Sequence, residues 1–255
     1  PGPCEALRFF TTATLQRRDY APSAGIAPHV ARQVVSRHRF KSQNGSQQVG
    51  LADPAVEAHR QNTPAAIRTT LWSPLQRFAV QTLQQHLREL AGRHVEDGAL
   101  VVLDNRSGEV LAWVGSSGDL SDAAEVDGVT ALRQPGSTLK PFLYAQALAE
   151  RRLTAASLLE DSSTQIQTSG GLYIPQNYDR QFKGWVSVRT ALGASMNVPA
   201  VRTLGLVSPD AFQQQLVKLG LPLKENGTFY GYSLALGSAE VSLLNLTNAY
   251  RALAN

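Results

Sequence analysis

Serine and lysine stand three positions apart at Ser137-Thr138-Leu139-Lys140, at the head of a segment in which Leu139, Phe142, Leu143, Ala147 and Leu148 recur at helical spacing. A helix with that apolar stripe has to bury one face. Burial carries the lysine toward the interior with it, and a desolvated ammonium is tolerated only if it is well hydrogen-bonded or loses its proton readily. Residues three apart on a helix hold their Cβ atoms about 5–6 Å from one another, close enough for a hydroxyl and an amine to share a hydrogen bond. A serine hydroxyl becomes a nucleophile only when a base takes its proton. A lysine whose pKa falls well below the usual 10.4 or so can be that base. The positive end of the helix dipole pushes in the same direction, and an unpaired N–H of Ser137 in the first turn could hold a developing oxyanion. Gln134-Pro135-Gly136, just ahead, composes a sharp turn that presents the serine.

Taken alone, Ser-x-x-Lys arises by chance on the order of once in a few chains of this size and usually marks an exposed, capped helix. Ser195-Met196-Asn197 adds a second hydroxyl and a carboxamide between two short helical segments. Alone it reads as a cap or turn. Together with the first constellation it offers a proton relay through Ser195, and in Asn197 an amide able to orient Lys140 or a substrate backbone.

Composition removes other chemistries. The chain has 255 residues, 43% hydrophobic and 17% charged, which suits a folded domain with an appendage. A net charge of +4 without a dense basic run does not indicate a nucleic-acid partner. The single cysteine, Cys4, allows no internal disulfide or thiolate cluster, and the five histidines show no ligand-like spacing, so no metal and no cofactor is expected. No run approaches the roughly 18 apolar residues of a membrane span. The only methionine is Met196, so the sequence reads as a piece of a longer chain, with any targeting or anchoring segment upstream of Pro1.

Residues 1–69 read as a connector, rich in Gln, Asn, Ser, Ala and Pro over 41–64, with a turn at Asn44-Gly45 and a solvated basic face over Arg32–Lys41. Regular structure over 70–255 opens with Ser73 as a cap and Pro74 in the first turn of a helix that buries Leu75, Phe78, Ala79, Leu83, Leu87 and Leu90 and ends near Gly92. A hairpin follows, Ala99–Leu103 and Glu109–Val114. After the serine helix, 137–149, come a polar loop around Ser169-Gly170-Gly171 and helices over 187–194, 198–204, from the cap pair Ser208-Pro209 to near Gly220, and 241–254.

These residues, in this order, resemble the transpeptidase domain of class A penicillin-binding proteins, most closely the C type, over about Arg68 to Asn255. The landmarks are Leu103 to Ala112 (Leu-Asp-Asn-Arg-Ser-Gly-Glu-Val-Leu-Ala), Arg133-Gln134-Pro135-Gly136-Ser137-Thr138-Leu139-Lys140-Pro141-Phe142, Tyr173 to Asp179, Ser195-Met196-Asn197-Val198-Pro199-Ala200, and Ala235-Leu236-Gly237 with Asn248-Ala249-Tyr250. The resemblance implies an α/β (α+β) fold of the penicillin-binding transpeptidase and β-lactamase kind, an antiparallel sheet flanked by helices, incomplete at its C-terminal end. It implies that Ser137 attacks the bond between the terminal D-alanines of a peptidoglycan stem peptide, with Lys140 as base, Ser195 as relay and Asn197 as orienter. Ser137, Ser195 and Asn197 would touch the substrate, and β-lactams would acylate the same serine. It also implies a periplasmic enzyme held to the inner membrane by an upstream segment, an upstream glycosyltransferase domain, and partners among other cell-wall synthesis proteins.

The family's Lys-Thr-Gly or Lys-Ser-Gly motif does not occur in the sequence, so this piece alone is expected to be inactive. Two other readings compete. A non-catalytic sensor or scaffold would share the fold. A serine β-lactamase would need a hydrolytic base of the Glu-x-x-Leu-Asn kind, and Glu240-Val241-Ser242-Leu243-Leu244-Asn245 is one residue too long.

Overall fold

A computed structural model describes residues 25–44, 67–168 and 171–255. Residues 1–24 and 45–66 of the connector, among them Cys4, His59 and Gly45 of the expected turn, and the Ser169-Gly170 pair lie outside the described residues; the described part of the connector, expected to be loop-rich, holds a helix over Pro28–Asn44. Two compact units form. One takes the described residues up to Val102 with Glu109–Asp127, and the other takes Leu103–Gly108 with Gly128–Asn255. The boundary expected at residue 69 falls inside the first of these.

In the first unit, helix α1 (Pro28–Asn44) is followed by α2 (Ser73–Glu89) and by the hairpin strands β1 (Leu100–Leu103) and β2 (Val110–Val114). Ala79, Ala112 and Val114 make a small core with Leu75, Val80 and Leu83 of α2. Two expectations for α2 fail. Its N-cap is Trp72, with no side-chain cap bond, so Ser73 is the first helical residue rather than the cap. Phe78 is 64% exposed, because Gln76 and Ala79 occupy the inward face. Gln76 is buried since its amide completes the backbone of β2: Oε1 accepts from Trp113 N at 2.7 Å and Nε2 donates to Trp113 O at 2.8 Å. The basic face expected from Arg32 onward is partly paired, Arg32 with Glu125.

The second unit carries strand β3 (Leu132–Arg133), a 3-10 turn over Gly136–Leu139, helix α3 (Lys140–Ala149), and strands β4 (Leu158–Asp161), β5 (Ile166–Thr168), β6 (Gly171–Tyr173) and β7 (Gly184–Ser187). Helices α4 (Val188–Gly193), α5 (Asn197–Val207), α6 (Pro209–Lys218) and α7 (Gly227–Tyr230) follow, then a 3-10 turn over Gly231–Leu236, strand β8 (Val241–Ser242) and helix α8 (Leu243–Ala254). The strands pair antiparallel in twos, β3 with β8, β4 with β7 and β5 with β6, rather than joining into one sheet among the described residues. In β4–β7, Leu158 faces Ser187 and Asp161 faces Gly184.

Helices α3, α5 and α6 enclose the main core, in which Leu139, Leu143, Leu204, Phe212 and Leu216 are fully buried. The cap read from the sequence holds at Ser208, whose side chain accepts from Ala211 N; Ser187, the expected start of its helix, is the N-cap instead and accepts from Thr190 N. At the last helix the cap is Ser242, one residue after the expected start.

Candidate active site

Ser137 sits in the 3-10 turn, not in the helix proper, which begins at Lys140. Gly136 takes the left-handed conformation, φ +60°, and donates its N–H to Gly237 O at 3.4 Å. Gly237, φ +76°, lies so close that a Cβ on it would come within 2.1 Å of Gly136 O and 2.4 Å of Gly136 N. Glycine is therefore required at 237 by contact as well as by conformation. Tyr250 fixes the same turn from the other side. Its hydroxyl donates to Thr138 O at 2.7 Å, and its ring meets Phe142 edge to face at 4.9 Å. The result is an exposed Ser137 on a backbone held at both flanks. Its N–H has no acceptor among the described residues.

Ser195 follows helix α4. Its N–H donates to Leu192 O at 3.0 Å and the next N–H, of Met196, to Ala191 O at 2.9 Å. That pair of bonds is the Schellman ending of a helix, in which the residue at this place is usually glycine. Here it is a serine with φ +52°. The buried Met196 then turns the chain directly into α5.

Lys140 is where the two segments meet. It is 1% exposed, and Nζ donates to Ser195 O at 2.6 Å, to Asn197 Oδ1 at 2.8 Å and to Ser195 Oγ at 3.2 Å. Three donors thus find three acceptors, all uncharged. Without a carboxylate to stabilise the ammonium, burial lowers its pKa to about 8. The hydrogen bond that the spacing allows between Ser137 and Lys140 is not made, because the amine points at the 195–197 turn.

Two further residues complete the arrangement. Asn177, 7% exposed, accepts at Oδ1 from Asn197 N at 2.9 Å and Val198 N at 3.2 Å, and donates at Nδ2 to both oxygens of the fully buried Asp161. Gln176 O accepts from Asn197 Nδ2 at 3.0 Å. In the sequence alone Asn177 reads as a packing residue or part of a cleft wall. Its only signal there was its place inside the Tyr173–Asp179 landmark. Asn245, the last residue of the candidate β-lactamase element, is instead held by its N–H, which donates to Ser242 Oγ at 3.1 Å, and by Nδ2, which donates to Gly220 O at 3.0 Å. Among the described residues no cluster of three or more His, Cys, Asp or Glu side chains could hold a metal ion.

Residues 98–255 match the penicillin binding protein transpeptidase domain, and the chain belongs to that family. Its relatives are class A proteins. It is 40% identical over 192 residues to penicillin-binding protein 1C of Escherichia coli strain K12, covering 74% of this chain and 24% of that protein, in line with the C-type resemblance. The crystal structure of penicillin-binding protein 1A from Haemophilus influenzae superposes with a TM-score of 0.55 at 32% identity, over 62% of this chain and 23% of that one. PonA1 of Mycobacterium tuberculosis in complex with penicillin V shares the fold, with a TM-score of 0.64 at 20% identity over 88% of this chain and 57% of that one. The chain spans about a quarter of the length of the class A relatives.

Proposed function

We propose that this chain is the serine-bearing part of a peptidoglycan D,D-transpeptidase that works through an acyl-enzyme on Ser137. The observation that carries the reading is Lys140: a buried amine with no acidic partner and a pKa lowered to about 8 is suited to accept a proton near neutral pH. Ser137 Oγ attacks the carbonyl carbon between the two terminal D-alanines of a stem peptide while its proton passes to Lys140. The oxyanion that forms is stabilised by the free N–H of Ser137. As the C–N bond breaks, the proton moves from Lys140 through Ser195 Oγ to the leaving D-alanine nitrogen. The amine of a second stem peptide then attacks the ester, gives up a proton along the same route, and releases Ser137 as the cross-link closes.

A β-lactam follows the first half of this sequence. Its ring amide opens on Ser137, and the fragment that would have left stays attached, so the ester persists. The Lys-Thr-Gly or Lys-Ser-Gly motif, to which the resemblance assigns substrate carboxylate binding and a second oxyanion donor, does not occur in the sequence. The parent protein is read as a bifunctional synthase with a glycosyltransferase domain, anchored at the periplasmic side of the inner membrane. No helix among the described residues is long and apolar enough to cross a membrane.

Intact mass after incubation with a penicillin tests the reading, on a form extended through a Lys-Thr-Gly segment and on its Ser137→Ala variant. A single adduct that maps to Ser137 and vanishes in the variant is expected. A folded extended protein with no adduct, or an adduct that persists in the variant, overturns it and leaves the scaffold reading.

A further inference from the structure

A helix begins with four backbone N–H groups that lack partners within it, and the usual remedy is a Ser, Thr, Asp or Asn at the N-cap itself. Helix α5 does something else. Its N-cap is Met196, the middle residue of Ser195-Met196-Asn197, and its side chain is buried in the core. The four groups are nevertheless all accounted for. Met196 N donates to Ala191 O, Pro199 has no N–H, and the N–H groups of Asn197 and Val198 both donate to Oδ1 of Asn177, on a separate segment.

Asn177 is itself held in one orientation. Nδ2 donates to Asp161 Oδ1 at 2.8 Å, to Asp161 Oδ2 at 2.9 Å and to Gln181 O at 2.9 Å. Turning the amide over would set its NH2 against two backbone N–H groups and its oxygen against a carboxylate. Asp161, at 0% exposure the most deeply buried acid in the chain's described part, also accepts from Lys183 N at 2.8 Å. The neighbouring Gln176 O meanwhile takes the Nδ2 hydrogen of Asn197, which turns Asn197 Oδ1 toward Lys140. One short segment, 176–177, thus fixes both the backbone and the side chain of Asn197. Its anchor is a carboxylate in β4.

We propose that the buried Asp161–Asn177 pair is a positioning element: it sets the 195–197 turn against Lys140, and so governs the acylation step rather than ligand binding. The proposal rests on the reading of Ser137 as the acylated residue. A remote cap that joins β4 to the start of α5 is a more demanding device than a local one, since losing either partner leaves buried polar groups unsatisfied. The difference it makes lies in where Ser195 and Asn197 stand.

The test is single-turnover acylation by a chromogenic cephalosporin, resolved into a half-saturation constant and a limiting rate, on the extended protein and on Asn177→Ala, Asn177→Asp and the double exchange Asp161→Asn with Asn177→Asp. Asn177→Ala is expected to lower the limiting rate by about tenfold to a hundredfold while the half-saturation constant moves by less than about threefold. Asn177→Asp sets two carboxylates side by side and should fall at least as far. In the double exchange the donor and acceptor trade places, so the limiting rate should recover most of that loss. A folded Asn177→Ala with the wild-type limiting rate overturns the proposal. If Asn177→Ala does not fold, the comparison of the double exchange with Asn177→Asp decides: an exchange no better in folding or in rate overturns it too. Should the wild-type protein give no adduct on Ser137, the acyl-enzyme reading itself fails. Should it acylate and Asn177→Ala match it, only the positioning role does.

Discussion

The two serines of the site are carried by two turns that handle the same backbone problem differently. At the first, the left-handed residue is Gly136, next to Ser137, and Gly237 packs against it so closely that no side chain fits. At the second, the left-handed residue is Ser195 itself, φ +52°. A glycine would relieve it at once. Of these two turns, the strain stays on the serine at the one whose hydroxyl sits against Lys140 Nζ. Where a neighbouring residue could take the strained conformation, glycine takes it.

The sharpest way to break that comparison is Ser195→Gly beside Ser195→Ala. Both remove the hydroxyl and should slow acylation by roughly a hundredfold or more, as the loss of a proton relay does. Only the glycine variant should also gain stability, by about 1 kcal/mol, in thermal or denaturant unfolding. If the alanine variant gains as much, the strain is not at φ.

The first turn predicts the opposite pattern. Gly237→Ala forces a Cβ into the backbone of Gly136 and should cost roughly 2–4 kcal/mol and displace the Ser137 turn. Gly136→Ala meets nothing within 4 Å and should cost only the conformational term, about 1–2 kcal/mol. Equal losses in denaturant unfolding would show that contact with Gly237 does not matter.

The pH dependence of stability tests the buried lysine that both turns serve. Its folded pKa, about 8, lies below the ordinary 10.5, so between those values the unfolded chain binds more protons and stability rises with pH. Below that window the folded protein has to protonate a buried amine. Against Lys140→Met, the wild type should therefore look worst near neutral pH, and the gap in melting temperature should narrow by a few degrees toward about pH 9.5. Tyr144, pushed up to about 12 by burial, works the other way above pH 10 and cancels in the difference. A gap that stays constant with pH would mean Lys140 is not desolvated. The smallest effect belongs to Tyr250→Phe, which keeps the ring against Phe142 and removes one hydrogen bond to Thr138 O, about 1 kcal/mol in the same unfolding measurement.

What the sequence made legible was local. Ser137, Lys140, Ser195 and Asn197 stand in short segments of fixed spacing, and the cap at Ser208 belongs to the helix that begins at the next residue. What stayed hidden depends on pairing across distance. Strand β4 has four residues, and its partner β7 lies more than twenty positions on, so neither shows a periodic pattern of its own. The capping of α5 by Asn177 shows in no window of sequence, because the N-cap position holds a methionine. Phe78 stays exposed for a related reason: hydrophobicity favours it for the buried face, but Gln76 takes the place because β2 needs a donor and an acceptor there.

What the proposed mechanism requires above all is a proton acceptor at Lys140, formed before any substrate arrives. Labelling lysine side chains with 13C at Cε and following the Lys140 resonance through a pH titration, assigned by its loss in Lys140→Met, measures this directly. A midpoint near 8 is expected. A midpoint at the ordinary lysine value of about 10.5 would contradict it.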